Sequence, residues 1–247
     1  MRALPLGLAA LLAASPALAQ PAAQPACPAA RPGLVETRPT ELAEPNWRSR
    51  VQLLTEELRG VPLDQVKLVF LGDSLVQGWF PEIWRQFYGH RGVLNLGVNG
   101  DFTQGLLWRI ANGHWPAGLR PQGAVVLIGT NNTLYNGSAE NVAAGVMETV
   151  RAIRARSPRT RVLVLGLLPR GADARDPSRA VHARINQILA RCADGRDVFF
   201  FDAGSVLTDA SGNLSEHVAW DRIHLTFVGY ALLSAAIEPS IRRLLPP

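Results

Sequence analysis

The amino-acid sequence predicts an α/β fold, a three-layer α/β/α sandwich built on a flavodoxin-like sheet of five parallel strands. Short apolar runs alternate along the chain with longer segments of helical period. Several of these runs carry apolar residues in succession rather than alternately, which is typical of strands buried on both faces. The composition, 47% apolar and 18% charged, is that of a globular protein and excludes collagen-like, coiled-coil and largely disordered chains.

The predicted strands are short runs rich in β-branched or aromatic residues, and the predicted helices are the segments between them. The strands cover residues 67–71, 93–96, 124–128, 161–167 and 198–201, and the helices cover residues 40–59, 81–88, 103–112, 139–157, 178–192 and 226–244. This alternation predicts a parallel sheet with helices on both faces. Because the carboxyl ends of parallel strands meet at one edge, we expect functional residues directly after the strands.

The amino terminus has the pattern of a secretory signal peptide over residues 1–19. A charged start at Arg2 is followed by an apolar stretch, and small residues precede a cleavage position after Ala19. A membrane anchor is the alternative, but the apolar stretch is short and is interrupted by Ser15-Pro16. We therefore expect a secreted or periplasmic protein, and the later sequence predicts no transmembrane segment.

Beyond the signal, we expect a flexible Ala/Pro-rich lead-in over residues 20–38 and a single domain with an N-terminal helix over residues 39–247. An oxidising compartment permits a disulfide between Cys27 and Cys192, but the sequence does not show that they meet. The net charge of +5 comes mostly from arginines, which are densest at residues 151–161. That cluster is typical of a solvated helix face; an anionic binding surface is the alternative, and no nucleic-acid motif accompanies it.

Polar or glycine-rich motifs follow the first three predicted strands. Ser74 stands in Gly-Asp-Ser-Leu, where a strand-to-helix turn can project its hydroxyl from the sheet edge; a helix cap is the alternative. Gly100 lets the backbone approach a ligand and offer an N–H group, although it also suits a simple turn. Asn131, in Gly-Thr-Asn-Asn, can donate an amide hydrogen to an oxyanion, or can form an Asx turn.

Asp221 and His224 stand three residues apart, just before the last predicted helix. A carboxylate at this spacing can hold one imidazole nitrogen and leave the other free to act as a base. A surface loop is the alternative explanation, and His217 is the main rival for the base. The His and Cys spacings do not suggest a metal site, so no metal or cofactor is expected.

Together these four blocks resemble the SGNH/GDSL hydrolase family, which is named for the Ser, Gly, Asn and His that the blocks contribute. The resemblance runs from about residue 66 to the last helix and is strongest to the branch of platelet-activating-factor acetylhydrolase Ib catalytic subunits. Members of that branch are cytosolic, whereas this chain begins with a predicted signal peptide, so the natural substrate is not carried over. The stretches that resemble this branch are residues 82–85, 107–113 and 164–171.

The resemblance implies a serine esterase that works through an acyl-enzyme. In it Ser74 is the nucleophile, His224 the general base and Asp221 the carboxylate that orients the imidazole. The oxyanion hole consists of the N–H groups of Ser74 and Gly100 and the side chain of Asn131. The chain does not contain the G-x-S-x-G elbow of α/β-hydrolases at Ser74, which argues against that fold.

Leu75, Thr130 and Ile223 adjoin the predicted catalytic residues in sequence and are the candidate acyl pocket. Their crowding suggests a preference for acetyl or other short acyl groups. The alternatives are a lysophospholipase or thioesterase for longer acyl chains, and a non-catalytic glycan-binding module on the same fold.

The alcohol side of the ester is open to a glycan, a phospholipid or a small molecule. Trp79, Trp115 and Tyr135 are candidates for a platform that stacks on a sugar, although ordinary packing explains them equally simply. The oligomeric state, monomer or homodimer, is also open.

Overall fold

The predicted strands form one parallel sheet in the computed structural model, which describes residues 27–245. They are Leu68–Gly72 (β1), Val93–Gly97 (β2), Gly123–Leu127 (β3), Arg161–Leu165 (β4) and Val198–Phe201 (β5), side by side in the order β2-β1-β3-β4-β5. This topology confirms the predicted α/β fold class. The predicted signal peptide and the start of the lead-in lie outside the described residues.

Helices cover both faces of the sheet. In chain order they are Pro45–Arg59 (α1), Ser74–Gln77 (α2), Pro81–Tyr88 (α3), Thr103–Arg109 (α4), Thr130–Leu134 (α5), Ala139–Arg156 (α6), Pro177–Cys192 (α7), Gly204–Leu207 (α8) and Phe227–Leu244 (α9). Apolar side chains of α1, α4, α6 and α7 fill the core on one face, and those of α2, α3, α8 and α9 fill the core on the other. Within residues 27–245, the helices lack the length and apolar character needed to cross a bilayer.

Strand β1 lies in the interior of the sheet and shows why its residues are apolar in succession. Val69 and Leu71 point into one core, whereas Leu68 and Phe70 point into the other. All four side chains are fully buried. Successive residues of a strand face opposite sides, so a strand covered on both faces needs apolar residues at every position.

Several element boundaries differ from the prediction for local reasons. Helix α1 begins at Pro45, because proline suits the first helical position and the preceding Glu44 is extended. Helix α4 ends at Arg109 and continues as a π-type turn over Ile110–His114, where Gly113 has a φ of +120°. The short helices α2, α5 and α8 were not predicted, because four or five residues show no helical period.

The described part of the lead-in is tied to the domain rather than flexible. Cys27 forms a disulfide with Cys192 at the end of α7. The Thr103 hydroxyl donates to the carbonyl oxygen of Glu36 at 2.9 Å, and an Arg151 side-chain N–H donates to that of Pro28 at 3.3 Å. An Ala/Pro-rich composition gives no sign of such contacts, because each partner lies far along the chain.

Candidate active site

Ser74 is the first residue of α2 and directly follows the end of β1. Asp73 caps this helix, and its Oδ1 accepts from the N–H of Leu75 at 2.9 Å. The tight turn depends on Gly72, since a Cβ there would lie 2.0 Å from the carbonyl oxygen of Leu127 on β3. The first N–H groups of a helix have no acceptor within it, so the backbone N–H of Ser74 is available to a ligand.

The side chains of Ser74, His224 and Asp221 form a continuous hydrogen-bonded chain. His224 Nε2 lies 3.0 Å from Ser74 Oγ, and His224 Nδ1 lies 2.6 Å from Asp221 Oδ2. Asp221 Oδ1 accepts from the backbone N–H groups of Ile223 at 3.0 Å and of His224 at 2.7 Å. Burial raises the pKa of Asp221, but the hydrogen bonds from His224 and from these N–H groups outweigh it and leave the pKa below its ordinary value. The carboxylate is therefore ionised beside the imidazole at neutral pH.

A strained turn holds the Asp221–His224 segment in place. Arg222 adopts a φ of +65°, in the left-handed region that non-glycine residues rarely enter. Its guanidinium donates to the carbonyl oxygen of Leu214 at 2.7 Å and to Glu216 Oε1 at 3.0 Å. These contacts offset the strain and fix the turn that joins the carboxylate to the imidazole.

The other described histidines are placed differently. The rival base His217 is exposed and lines a second cavity, away from Ser74. His114 and His182 are buried, and burial lowers the pKa of each to about 4. They are neutral at pH 7 and serve as internal hydrogen-bonding groups.

Gly100 follows the end of β2 and Asn131 follows the end of β3, so both lie at the carboxyl edge of the sheet. Gly100 has a φ of +73° in an exposed turn after β2, and within residues 27–245 its N–H donates to no protein acceptor. Asn131 lies in α5, and its Nδ2 donates to the carbonyl oxygen of Asp101 at 2.7 Å. This bond uses one amide hydrogen and orients the other. Because Asp101 follows Gly100 directly, the two predicted oxyanion donors belong to one connected unit.

A fully buried ion pair between Arg109 and Asp101 lies next to the turn that carries Gly100. Arg109 donates to Asp101 Oδ2 through Nε at 2.9 Å and through Nη2 at 2.7 Å. Two of its remaining N–H groups donate to the carbonyl oxygens of Leu96 at 3.0 Å and Gly72 at 3.2 Å, and Nη1 also lies 2.9 Å from His114 Nδ1. Trp47 Nε1 donates to Asp101 Oδ1 at 2.9 Å. One guanidinium therefore ties together the ends of β1 and β2 and the turn that carries Gly100.

A cavity of about 410 Å³ opens beside Ser74 and His224. Aromatic side chains form much of its wall, namely those of Phe80, Trp220 and Tyr230. The Trp220 ring is 63% exposed and stacks on the His224 ring, with centroids 5.9 Å apart and planes 19° apart. The arrangement places the Ser74 hydroxyl and the His224 imidazole at the mouth of an open, largely apolar cleft.

Comparison with known proteins agrees with this geometry. A profile described as the GDSL-like lipase/acylhydrolase family matches residues 70–232. The platelet-activating factor acetylhydrolase IB subunit alpha1 of Bos taurus is 38% identical over 181 residues, 72% of this chain and 76% of that protein. The alpha2 subunit of Homo sapiens is 37% identical over 180 residues, 72% of this chain and 77% of that protein. The chain belongs to the GDSL-like lipase/acylhydrolase family. Its family and its acetylhydrolase relatives show that it is an ester hydrolase.

Solved structures of GDSL and esterase proteins share the fold. A GDSL-like lipase from Bacteroides thetaiotaomicron superposes with a TM-score of 0.63 at 20% identity, covering 81% of this chain and 100% of its own. An acetylxylan esterase from Geobacillus stearothermophilus superposes with a TM-score of 0.56 at 17% identity, covering 74% of this chain and 95% of its own. At identities this low the similarity is one of fold, that is, of the sheet and its flanking helices.

The residues predicted to form the acyl pocket of this GDSL hydrolase lie apart from the cavity. Leu75 is 1% exposed and packs in the core under α2 and α9, and Thr130 is 6% exposed at the start of α5. Ile223 is half-buried in the turn before His224. These three residues do not line the cavity beside Ser74, and their role as an acyl pocket stays a prediction.

The candidate sugar platform is also placed elsewhere than predicted. Trp79 and Trp115 are 5% and 4% exposed and belong to the two cores, while Tyr135 is exposed at the end of α5 and lies outside the cavity wall. Trp220, which the sequence reasoning missed, is the exposed tryptophan beside the imidazole. Its position directly before Asp221 was the available signal.

Proposed function

We propose that this GDSL hydrolase is an exported serine esterase in which Ser74 is the nucleophile. The observation that carries the proposal is the hydrogen-bonded chain of 3.0 Å and 2.6 Å that links Ser74, His224 and Asp221. These are distances at which a serine hydroxyl can pass its proton to an imidazole held by a carboxylate.

Acylation begins when Ser74 Oγ attacks the ester carbonyl and its proton moves to His224 Nε2. Asp221 accepts from Nδ1–H and stabilises the imidazolium that forms. The tetrahedral intermediate collapses as the C–O bond of the ester breaks, and the alkoxide takes the proton from Nε2. Water then attacks the acyl-enzyme with His224 again acting as the base, which releases the acid and restores Ser74.

The negative charge on the tetrahedral intermediate needs donors that are already in position. We assign this role to the N–H groups of Ser74 and Gly100 and to the Asn131 amide. The hydrogen bond from Asn131 to the Asp101 carbonyl fixes the amide before substrate arrives. Loss of one such donor costs about a hundred- to a thousandfold in turnover, so Asn131→Ala is expected to lower kcat by that factor.

Hydrolysis of p-nitrophenyl acetate by purified variants tests the triad. Ser74→Ala and His224→Ala are expected to lose nearly all activity while their circular dichroism spectra stay native. His217→Ala is the matched control, because it removes an exposed histidine of the same region and is expected to keep activity. Substantial turnover by Ser74→Ala, or a dead His217→Ala beside an active His224→Ala, would refute the assignment.

We further propose that the acyl group is short, with acetyl preferred. The relatives at 38% identity are named acetylhydrolases, which supports a short acyl group here. In a series of ethyl esters, kcat/KM is expected to fall from acetate to octanoate. A rise toward octanoate would favour a lysophospholipase or thioesterase instead.

Export is the remaining part of the proposal. The pattern of residues 1–19 supports it, as does the disulfide between Cys27 and Cys192, because such bonds persist in oxidising compartments. Protein recovered from the periplasm or medium is expected to begin at Gln20. An uncleaved amino terminus in a cytoplasmic fraction would contradict export without touching the esterase assignment.

A further inference from the structure

We propose that the cavity beside His224 binds the alcohol portion of the ester, that this alcohol is a neutral sugar-like polyol, and that Trp220 is the surface on which its ring stacks. The inference rests on the proposed esterase function and adds a substrate class to it. Three independent features of the cavity carry it: its position relative to the imidazole, the uncharged character of its wall, and the exposed aromatic face within it.

The position of the cavity indicates which half of the ester it receives. The leaving alkoxide takes its proton from His224 Nε2, so the alcohol oxygen must lie within hydrogen-bonding reach of that nitrogen. The cavity lies on this side, where Trp220 and Leu225 flank His224 in sequence and line the wall with it. Of the described residues that line it, Asn99 borders the oxyanion turn, whereas Gly100 and Asn131 are not among them.

The size of the cavity fits the same assignment. About 410 Å³ is within the range of sites that bind drug-sized ligands and far exceeds what an acetyl group needs. If the acyl group is short, the space beside the catalytic imidazole is left for a bulky alcohol.

The wall carries no charge that would select a phosphate. None of the described residues that line the cavity is an Asp, Glu, Lys or Arg. A phosphate group of a phospholipid would call for arginine or lysine there. The polar groups of the wall include the amides of Gln77 and Asn99, and Gln77 Oε1 accepts from the backbone N–H of Asn99 at 2.6 Å, which holds the Gln77 side chain against that backbone. Amides both donate and accept, and so match hydroxyl groups.

The aromatic residues of the wall supply a flat apolar surface in the same cavity as these amides. Trp220 stacks one face on His224 and is 63% exposed, so most of its ring is open to a ligand. Its backbone N–H donates to the carbonyl oxygen of His224 at 3.1 Å, which holds the indole beside the imidazole. Phe80 continues the wall and meets Tyr230 with ring centroids 5.9 Å apart. An exposed aromatic face with nearby amides suits a ring that is apolar on its faces and polar at its rim.

The test holds the acyl group at acetyl and varies the alcohol. Ethyl acetate and a mono-O-acetylated methyl pyranoside are compared for the wild type, Trp220→Ala and Trp220→Phe. Trp220→Ala is expected to lower kcat/KM for the pyranoside by about fivefold more than for ethyl acetate, mainly through KM, because aromatic stacking is worth about 1 kcal/mol, which corresponds to about fivefold. Trp220→Phe is expected to recover most of this difference between the two esters, because a phenyl ring keeps a stacking face.

Three outcomes would overturn the inference. An equal loss on both acetates would mean that Trp220 serves the imidazole rather than the alcohol. If Trp220→Ala lowered kcat/KM only for ethyl octanoate, measured beside the two acetates, the cavity would hold the acyl chain. A Trp220-dependent preference for acetylated glycerophosphocholine over the pyranoside would point to a phospholipid.

Two further variants distinguish this inference from a sugar platform at Tyr135 and from a failure of the proposed esterase function. Tyr135→Ala tests the exposed aromatic at the end of α5, and loss of the pyranoside preference there, with none in Trp220→Ala, would move the platform to α5. Ser74→Ala is run in parallel on both esters. If it is inactive while Trp220→Ala shows no selectivity between alcohols, the esterase function stands and only the polyol subsite falls.

Discussion

Asp73 is a buried acidic residue, 1% exposed, directly before Ser74 in the chain. Its Oδ1 caps α2 by accepting from the N–H of Leu75, and its Oδ2 has no hydrogen-bond partner among the described residues. Burial raises the pKa of Asp73 from 3.8 to about 7, and the negative charge of Asp101 adds to the rise. Between these two pH values the folded protein keeps a proton on Asp73 that the unfolded chain releases. The contribution of protonated Asp73 to the free energy of unfolding is therefore fully present below pH 3.8 and is lost as the pH rises through about 7.

Asp73→Asn is expected to stabilise the protein in a pH-dependent way. Asparagine keeps the capping oxygen and carries no charge, so the variant avoids a cost of up to roughly 4 kcal/mol that ionisation imposes on the wild type. Thermal unfolding is expected to show a higher Tm for the variant at pH 8 and a difference that shrinks toward zero at pH 4. A difference of the same size at both pH values would contradict the raised pKa.

At the level of elements, α4 connects the parts of the site that different strands carry. The buried Arg109 reaches the ends of β1 and β2 and the carboxylate of Asp101, whose backbone carbonyl in turn orients Asn131. Gly100 and Asn131, the proposed oxyanion donors, are therefore held through a guanidinium that is fully buried. Both side chains of the pair are 0% exposed, so removal of one leaves the other charge buried alone.

Arg109→Leu is expected to lower the free energy of unfolding by about 3–5 kcal/mol, because it strands the Asp101 carboxylate in the core. Arg242→Leu is the matched control, since Arg242 is 74% exposed in its helical pair with Glu238 and its loss is expected to cost less than about 1 kcal/mol. Urea denaturation measures both. Equal losses in the two variants would mean that the buried pair contributes little.

The sequence predicted those elements whose signal is local. Strand β1 and helix α9 were found because apolar residues repeat at the period of their structure, and Ser74, Asn131 and His224 because each sits in a short motif. Arg109 also bonds to the carbonyl oxygen of Gly72, 37 residues away, and the stacking of Trp220 on His224 depends on the shape of the turn between them, so no local pattern encodes either contact.

Across the whole molecule, the disulfide joins the beginning of the described chain to the end of α7, and the sequence separation of the two cysteines is 165. A cross-link that closes so long a loop removes much conformational freedom from the unfolded chain, worth about 5 kcal/mol in the chain-entropy estimate. Cys192 precedes β5 and so lies toward the amino ends of the strands, whereas Ser74 follows β1 at the carboxyl edge. The bond therefore stabilises the domain without contacting the site.

Cys27→Ser, Cys192→Ser and the double variant are each expected to lower the free energy of unfolding by about 2–5 kcal/mol, because any one of these changes removes the bond. Hydrolysis of p-nitrophenyl acetate at 25 °C is expected to be unchanged. Urea unfolding with and without dithiothreitol provides the measurement, and the reductant is expected to act on the wild type alone. An additive loss in the double variant, or a loss of activity in any of the three, would contradict this role.

The nucleophile is tested most directly by a fluorophosphonate probe on the mature protein, read by mass spectrometry of the digested chain. A serine activated by His224 and Asp221 reacts with such a probe, whereas a serine that only caps a helix does not. We expect one adduct per chain, on Ser74, with labelling abolished in Ser74→Ala and in His224→Ala. An adduct on a different residue, or labelling that persists in Ser74→Ala, would contradict the assignment of Ser74 as the nucleophile.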